Sequence, residues 1–424
     1  MVGDMTQRYA ADSESSSSPA GQVDSSPDGL SRVGPTRAQF RPDIEGMRAI
    51  AVFLVILFHA YHLPFTAGFV GVDVFFVISG FLITSLLLRE QTRVGRISLS
   101  GFYARRTRRI LPASTLVVLV TLFATYHWLG FIAGNSVAND AKWTAIFGAN
   151  LHFGWVRTDY FGAQSPPSPL QHMWSLGVEE QFYAVWPGLL LIVALLARGA
   201  RYRRVLAAAV SVIIAASLIW SVAQTSVNQT WAYFSPLTRA WELALGALVA
   251  VLAPSIARLR PAWAAQALAV LGLAGIFISA IVFTSETRYP GYAAILPVVG
   301  SAVLIAAGCA NQETFVGRIL SARPMQWVGA RSYSLYLWHW PLLIIPAQYA
   351  GRDLSVLENT GLVLVTVVAS AATYRLVENP VRRAGMFTSR TGMTLILGAI
   401  LVAVTILLAQ WQLASHYGTW NVFV

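Results

Sequence analysis

The chain has 424 residues, 56% of them hydrophobic and only 12% charged, with a formal net charge of +11. Soluble globular proteins carry roughly 25% charged residues, so composition argues against a water-soluble enzyme. The 30 basic residues form no single patch of the kind nucleic acid requires, and the lone cysteine, Cys309, excludes a disulfide framework or a cysteine zinc site.

A polytopic membrane protein, an all-α helix bundle, fits these numbers. Residues 1–39 are rich in Ser, Pro, Gly and Asp, with little to bury, and read as a disordered tail without the apolar core of a signal peptide. Eleven apolar stretches then have about the length that crosses a bilayer: 47–64, 69–88, 113–131, 180–197, 205–223, 240–254, 263–283, 291–309, 332–349, 357–376 and 393–411. A twelfth, 143–155, is broken by Asn150, His152 and Gly154 and reads as re-entrant or interfacial. With a cytoplasmic N-terminus, eleven spans put 25 of the 30 basic residues inside, leaving Lys142, Arg157, Arg239, Arg288 and Arg352 outside. The expected division is a tail at 1–39, a membrane domain at 40–385, and an extra helix with a short extracytoplasmic end at 386–424.

Ionisable groups inside membrane spans are costly, so each is a functional candidate. The first span carries Arg48 and His59, eleven residues apart. At ~100° and ~1.5 Å per residue they share one helix face and lie ~16 Å apart along the axis. That spacing suits an elongated anionic ligand, with phosphate in the fork of Arg48 and a reactive end at His59, which can take a proton from a hydroxyl. The plainer alternative is a snorkelling anchor at Arg48 and an interhelical hydrogen bond at His59.

In the second span, Asp73 could orient the His59 ring, pair with an arginine, or cap a broken helix. The following Phe102-Tyr103-Ala-Arg105-Arg106-Thr-Arg108-Arg109 reads as a cytoplasmic loop for lipid headgroups or a nucleotide's phosphates, with the two aromatics placed to stack on a base. A Pro/Ser loop at 157–178, expected outside, leads into Trp174-Ser-Leu-Gly-Val-Glu179-Glu180-Gln-Phe-Tyr183. The adjacent carboxylates suit a helix start, and Glu179 and Tyr183 share a face that could line a cavity with His59. Further on, Tyr233 precedes Arg239 and Glu242, which are three apart and able to pair on a helix surface. His339, between Trp338 and Trp340 in the ninth span, reads as a cavity wall.

Together these residues resemble the membrane-bound acyltransferase-3 family over about Phe40–Arg383. The likeness is carried by Arg48-x10-His59, the Phe-Tyr-x-Arg-Arg-x-x-Arg-Ile stretch, Trp-Ser-Leu-x-x-Glu-Glu-Gln-Phe-Tyr, Thr-Arg-Ala-Trp-Glu-Leu, Ser-Tyr-Ser-Leu-Tyr-Leu-Trp-His-Trp-Pro and Glu378-Asn379-Pro380. The resemblance implies a ten-helix core, here with one helix more, in a bacterial plasma membrane. It implies acyl transfer, acetyl by default, from cytoplasmic acyl-coenzyme A to a hydroxyl of a cell-envelope glycan, glycolipid (lipopolysaccharide included) or small molecule. Many relatives add an extracytoplasmic hydrolase-like domain after the extra helix. Here the expectations are a membrane domain acting alone, a separate extracytoplasmic transferase supplying the second step, or a truncated chain.

On this reading Arg48, Arg105, Arg106, Arg108 and Arg109 hold the donor phosphates. His59 is the base, with Asp73 or Glu179 orienting it and Glu180 alongside. Tyr233 is a candidate acyl carrier, and Trp174, Tyr183, Arg239, Glu242 and His339 line the substrate cavity. Membrane lipids are the other partners, and no metal or nucleic acid is expected. The rival readings are a proton-coupled lipid or glycan transporter and an inactive membrane scaffold.

Overall fold

A computed structural model describes residues 40–61, 64–156, 166–197, 199–258 and 261–417. The expected tail at 1–39 lies outside them, as does the first part, 157–165, of the loop that starts at 157. Helix α1 (Pro42–Tyr61) carries both Arg48 and His59. A turn at Gly68–Val70 leads into α2 (Gly71–Val94), which ends on Gly95 in the left-handed region, φ 73°. Helix α3 (Leu99–Ala145) starts at Ser98, whose hydroxyl accepts the Gly101 amide at 3.2 Å, and kinks at Gly130, φ 80°. The interrupted stretch 143–155 forms the end of α3 and the seven-residue α4 (Ala149–Trp155), which is too short to cross a bilayer.

Helix α5 (Trp174–Leu196) begins after a buried turn at Gln171–Met173, so its first residues lie inside protein and not at a surface. Then come α6 (Ala200–Val227), α7 (Gln229–Phe234), α8 (Pro236–Ile256), α9 (Ala262–Val282), α10 (Ile295–Ala310) and α11 (Phe315–Leu320). Helix α12 (Arg323–Ala350) precedes α13 (Val356–Thr373), which opens with a reciprocal Ser355–Glu358 cap. A wider turn at Tyr374–Glu378 joins α13 to α14 (Asn379–Arg383), α15 (Gly385–Ser389) and α16 (Thr391–Tyr417).

Among the described residues, nine helical segments are long and apolar enough to cross a membrane. The fold is therefore an all-α, multi-pass membrane bundle, and the expected count of about eleven is not confirmed. The stretch 291–309 gives α10, of only 16 residues. The stretch 332–349 falls in α12, whose arginines and polar aromatics make it less apolar.

Helices α1 and α12, α2 and α8, α8 and α6, α9 and α10, and α3 and α16 are the main packed pairs. Lipid offers no hydrophobic gain for helix association, so close van der Waals approach through small residues matters more. The α2–α8 crossing shows this reciprocally. A β-carbon on Gly80 would overlap the Leu243 carbonyl, and one on Gly246 would overlap that of Val77.

Candidate active site

Helices α1, α2, α3, α5 and α12 line a cavity of about 70 Å³, into which Arg48, Arg106, Arg109, Ser79, Glu179 and Tyr183 project. Arg106 donates to Glu180 at 2.5 Å and reaches Glu179 at 3.4 Å, with its guanidinium 4.0 Å from the Tyr183 ring centre. Glu179 Oε1 also accepts from Ser79 at 2.8 Å and from the Tyr183 hydroxyl at 2.5 Å. Arg48 is steadied by Glu45, one turn earlier on α1, at 3.2 Å. Arg109 makes no ion pair or hydrogen bond among the described residues, so its five N–H donors are uncommitted at the cavity wall.

This geometry changes the reading of the basic stretch in three ways. Arg105–Arg109 sit on the opening turns of α3 and not in a loop, because the Ser98 cap starts the helix before them. Helical spacing then sends only Arg106 and Arg109, three apart, into the cavity. Arg105 instead pairs with Glu90 at 2.8 Å, and Arg108 donates to the Phe387 carbonyl at 2.6 Å, tying α3 to α15. Of the two aromatics expected to stack on a base, only Tyr103 keeps exposed surface. Phe102 is buried in the core, and the Tyr103 hydroxyl donates to the Ala184 carbonyl at 2.8 Å. The acidic pair also moves. Since α5 begins inside the bundle, Glu179 and Glu180 meet the basic stretch, where opposite membrane faces were expected.

His59 finds its partner on α12. Its Nδ1 lies 3.2 Å from His339 Nε2, and the edge of Trp340 packs on it at 4.6 Å between ring centres. His339 Nδ1 lies 2.6 Å from the Tyr336 carbonyl oxygen. Pro341 has no amide hydrogen for the Leu337 carbonyl one turn back; His172 Nε2 supplies that bond at 3.1 Å, while its Nδ1 is buried without a partner among the described residues. Tyr336 in turn donates its hydroxyl to the His172 carbonyl at 2.9 Å.

Asp73, expected as one possible orienter of His59, belongs to a different cluster. It accepts from Arg239 at 3.0 Å, and Glu242 accepts from the same guanidinium nitrogen at 2.9 Å. The Arg239–Glu242 pair is thus fully buried, not on a helix surface. Arg239 Nε donates to the Tyr233 carbonyl at 3.1 Å, and the rings of Tyr233, Tyr289 and Trp174 surround the guanidinium at 4.8, 5.3 and 5.5 Å. Tyr233 is therefore a wall of this cluster.

Sequence reasoning did not single out Asp140, His172 or Tyr289 as site residues. Asp140 holds His152 at 2.9 Å and the Ser168 hydroxyl at 2.5 Å, and the Ser168 carbonyl accepts from the Trp340 indole at 2.8 Å. The polar His172, beside an aromatic run, was a usable signal. Nothing local marked the other two. No group of three or more potential metal-ligating side chains is found among the described residues.

A bundle of apolar helices holding a buried arginine-lined cavity and a histidine cluster defines a multi-pass membrane protein with an internal polar site. The chain matches the acyltransferase-domain family over residues 41–375 and belongs to that family. YrhL of Bacillus subtilis strain 168 is 33% identical to it over 365 residues, which are 82% of this chain and 56% of YrhL. Peptidoglycan O-acetyltransferase OatA of Listeria monocytogenes is 31% identical over 364 residues, again 82% of this chain and 56% of the relative. O-acetyltransferase OatA of Staphylococcus aureus is 30% identical over 357 residues, 82% of this chain and 58% of the relative. The chain thus spans little more than half the length of these relatives. No solved structure matches it significantly.

Proposed function

We propose that the chain is a membrane O-acyltransferase that moves an acetyl group from acetyl-coenzyme A to a hydroxyl of a cell-wall glycan. Peptidoglycan, the acceptor named for the Listeria relative, is the first candidate. The observation that carries this reading is the uncommitted guanidinium of Arg109, beside Arg48 in one cavity, with His59 further along the helix that bears Arg48.

In this mechanism Arg109 and Arg48 bind the donor phosphates through charged hydrogen bonds. Arg106, engaged by Glu179 and Glu180, holds the cavity wall. The thioester extends along α1 toward His59. His59 takes the proton of the acceptor hydroxyl as its oxygen attacks the thioester carbonyl. A carbon–oxygen bond forms, the carbon–sulfur bond breaks, and His59 returns the proton to the leaving thiolate. Tyr233, enclosed by Arg239 and Trp174, serves as structure here and not as an acyl carrier. On the eleven-span assignment, the excess of basic residues on one side supports a cytoplasmic N-terminus and a donor entering from the cytoplasm.

The test is acetyl transfer in proteoliposomes with labelled acetyl-coenzyme A and peptidoglycan fragments. The expected result is transfer by the wild type and none by His59→Ala. Wild-type turnover in His59→Ala would sink the proposal, and solute flux without consumption of acetyl-coenzyme A would establish a transporter instead.

A further inference from the structure

We propose that His339 is a positioning residue that fixes the tautomer of His59, placing the His59 proton on Nδ1 and its basic lone pair on Nε2. This rests on the reading of His59 as the proton acceptor of the transfer.

The chain of logic starts at a backbone atom. A carbonyl oxygen only accepts hydrogen bonds, so the 2.6 Å contact from His339 Nδ1 to the Tyr336 oxygen puts a hydrogen on His339 Nδ1. In the neutral ring the other nitrogen, Nε2, then carries a lone pair. That atom faces His59 Nδ1 at 3.2 Å, so His59 Nδ1–H is the donor. The two rings are 24° from parallel with centres 5.3 Å apart, the arrangement of an N–H···N bond running nearly in the ring planes.

Packing holds both rings to this geometry. Trp340 meets His59 edge-on, 72° between planes, and is itself pinned to the Ser168 carbonyl. His172 abuts His339 at 80° and is pinned to the Leu337 carbonyl. His339 is fully buried. Its imidazole therefore does the orienting work that a carboxylate does elsewhere, without placing a negative charge beside His59. The proton that His59 gains is then not trapped by a counter-charge and can pass on to the thiolate.

Solid-state NMR of the full chain in lipid vesicles, with histidine labelled in heavy nitrogen and assigned by single substitutions, reads the tautomer directly. The expected spectrum shows His59 protonated at Nδ1 and bare at Nε2, and a His59 protonated at Nε2 overturns the proposal. In the acetyl-transfer assay, His339→Leu is expected to lower kcat about 100-fold, the scale of a misplaced general base, with the donor KM unchanged. His339→Gln, whose amide oxygen can still accept, is expected to recover part of the loss. Unchanged kcat in His339→Leu overturns the assignment, as does a loss that Gln does not relieve. If His339→Leu does not fold, the wild-type spectrum and the Gln variant still decide. Absence of acetyl transfer by the wild type would remove the proposed function, while the spectrum would continue to report the tautomer.

Discussion

Arg106 of α3 and Glu180 of α5 meet at 2.5 Å inside the bundle, joining the basic stretch to the acidic pair that sequence reasoning had placed on the opposite side. Their side chains are only 9% and 13% exposed, so neither charge has water to fall back on. Arg106→Leu is expected to destabilise the protein by about 3–5 kcal/mol, since Glu180 stays buried and unpaired, whereas Glu180→Leu leaves Arg106 its 3.4 Å contact with Glu179 and is expected to cost less. Replacing both by leucine is expected to cost less than Arg106→Leu alone. Thermal unfolding of the purified variants in detergent compares the three, and a double variant weaker than Arg106→Leu contradicts the expectation.

Arg109 and Arg105 lie four residues apart in the basic stretch but face different neighbours. Arg109→Ala is expected to weaken coenzyme A binding about 10- to 100-fold, the worth of one charged hydrogen bond. Arg105→Ala, which loses only its Glu90 partner outside the cavity, is expected to bind like the wild type. Calorimetric titration with coenzyme A separates the two. Equal weakening would mean that the basic stretch acts as a diffuse patch.

The buried Arg239 cluster has two carboxylates on one guanidinium, and Glu242 Oε2 has no partner among the described residues. Arg239→Leu leaves two unpaired acids and is expected to cost about 3–5 kcal/mol. Glu242→Gln keeps an acceptor for Arg239 and retains Asp73 as counter-charge, so its expected cost is under about 1 kcal/mol, that of one modest hydrogen bond. Unfolding temperatures of the two variants in detergent test the asymmetry.

At the α2–α8 crossing, Gly80→Val or Gly246→Val is expected to destabilise by about 1–3 kcal/mol through overpacking, or more where the carbonyls cannot retreat. Gly361→Ala in α13 meets open space. It is expected to be neutral or to stabilise by up to about 1 kcal/mol through helix propensity. The same unfolding assay ranks all three.

Much of the helical layout was legible because an apolar stretch in a membrane has few options but helix. The one-face placement of Arg48 and His59 followed from helical periodicity alone. The partners were less legible. His339 lies 280 residues from His59, and no local spacing announces that contact. The depth of Glu179 and Glu180 was misjudged because it depends on the buried turn at Gln171–Met173, which returns the chain to the interior before α5 begins. Arg105–Arg109 looked like a loop because charge was read as exposure. Their helical state comes from a cap at Ser98 and from partners on α2, α5 and α15.

Helix α1 is a molecular ruler. With Arg48 and His59 on one continuous helix, the interval between the proposed phosphate anchor and the proposed proton acceptor is set by backbone geometry at ~16 Å and does not vary when neighbouring helices shift. A donor analogue with its pantetheine arm shortened keeps the anchor but falls short of His59, so it is expected to bind and compete without being consumed.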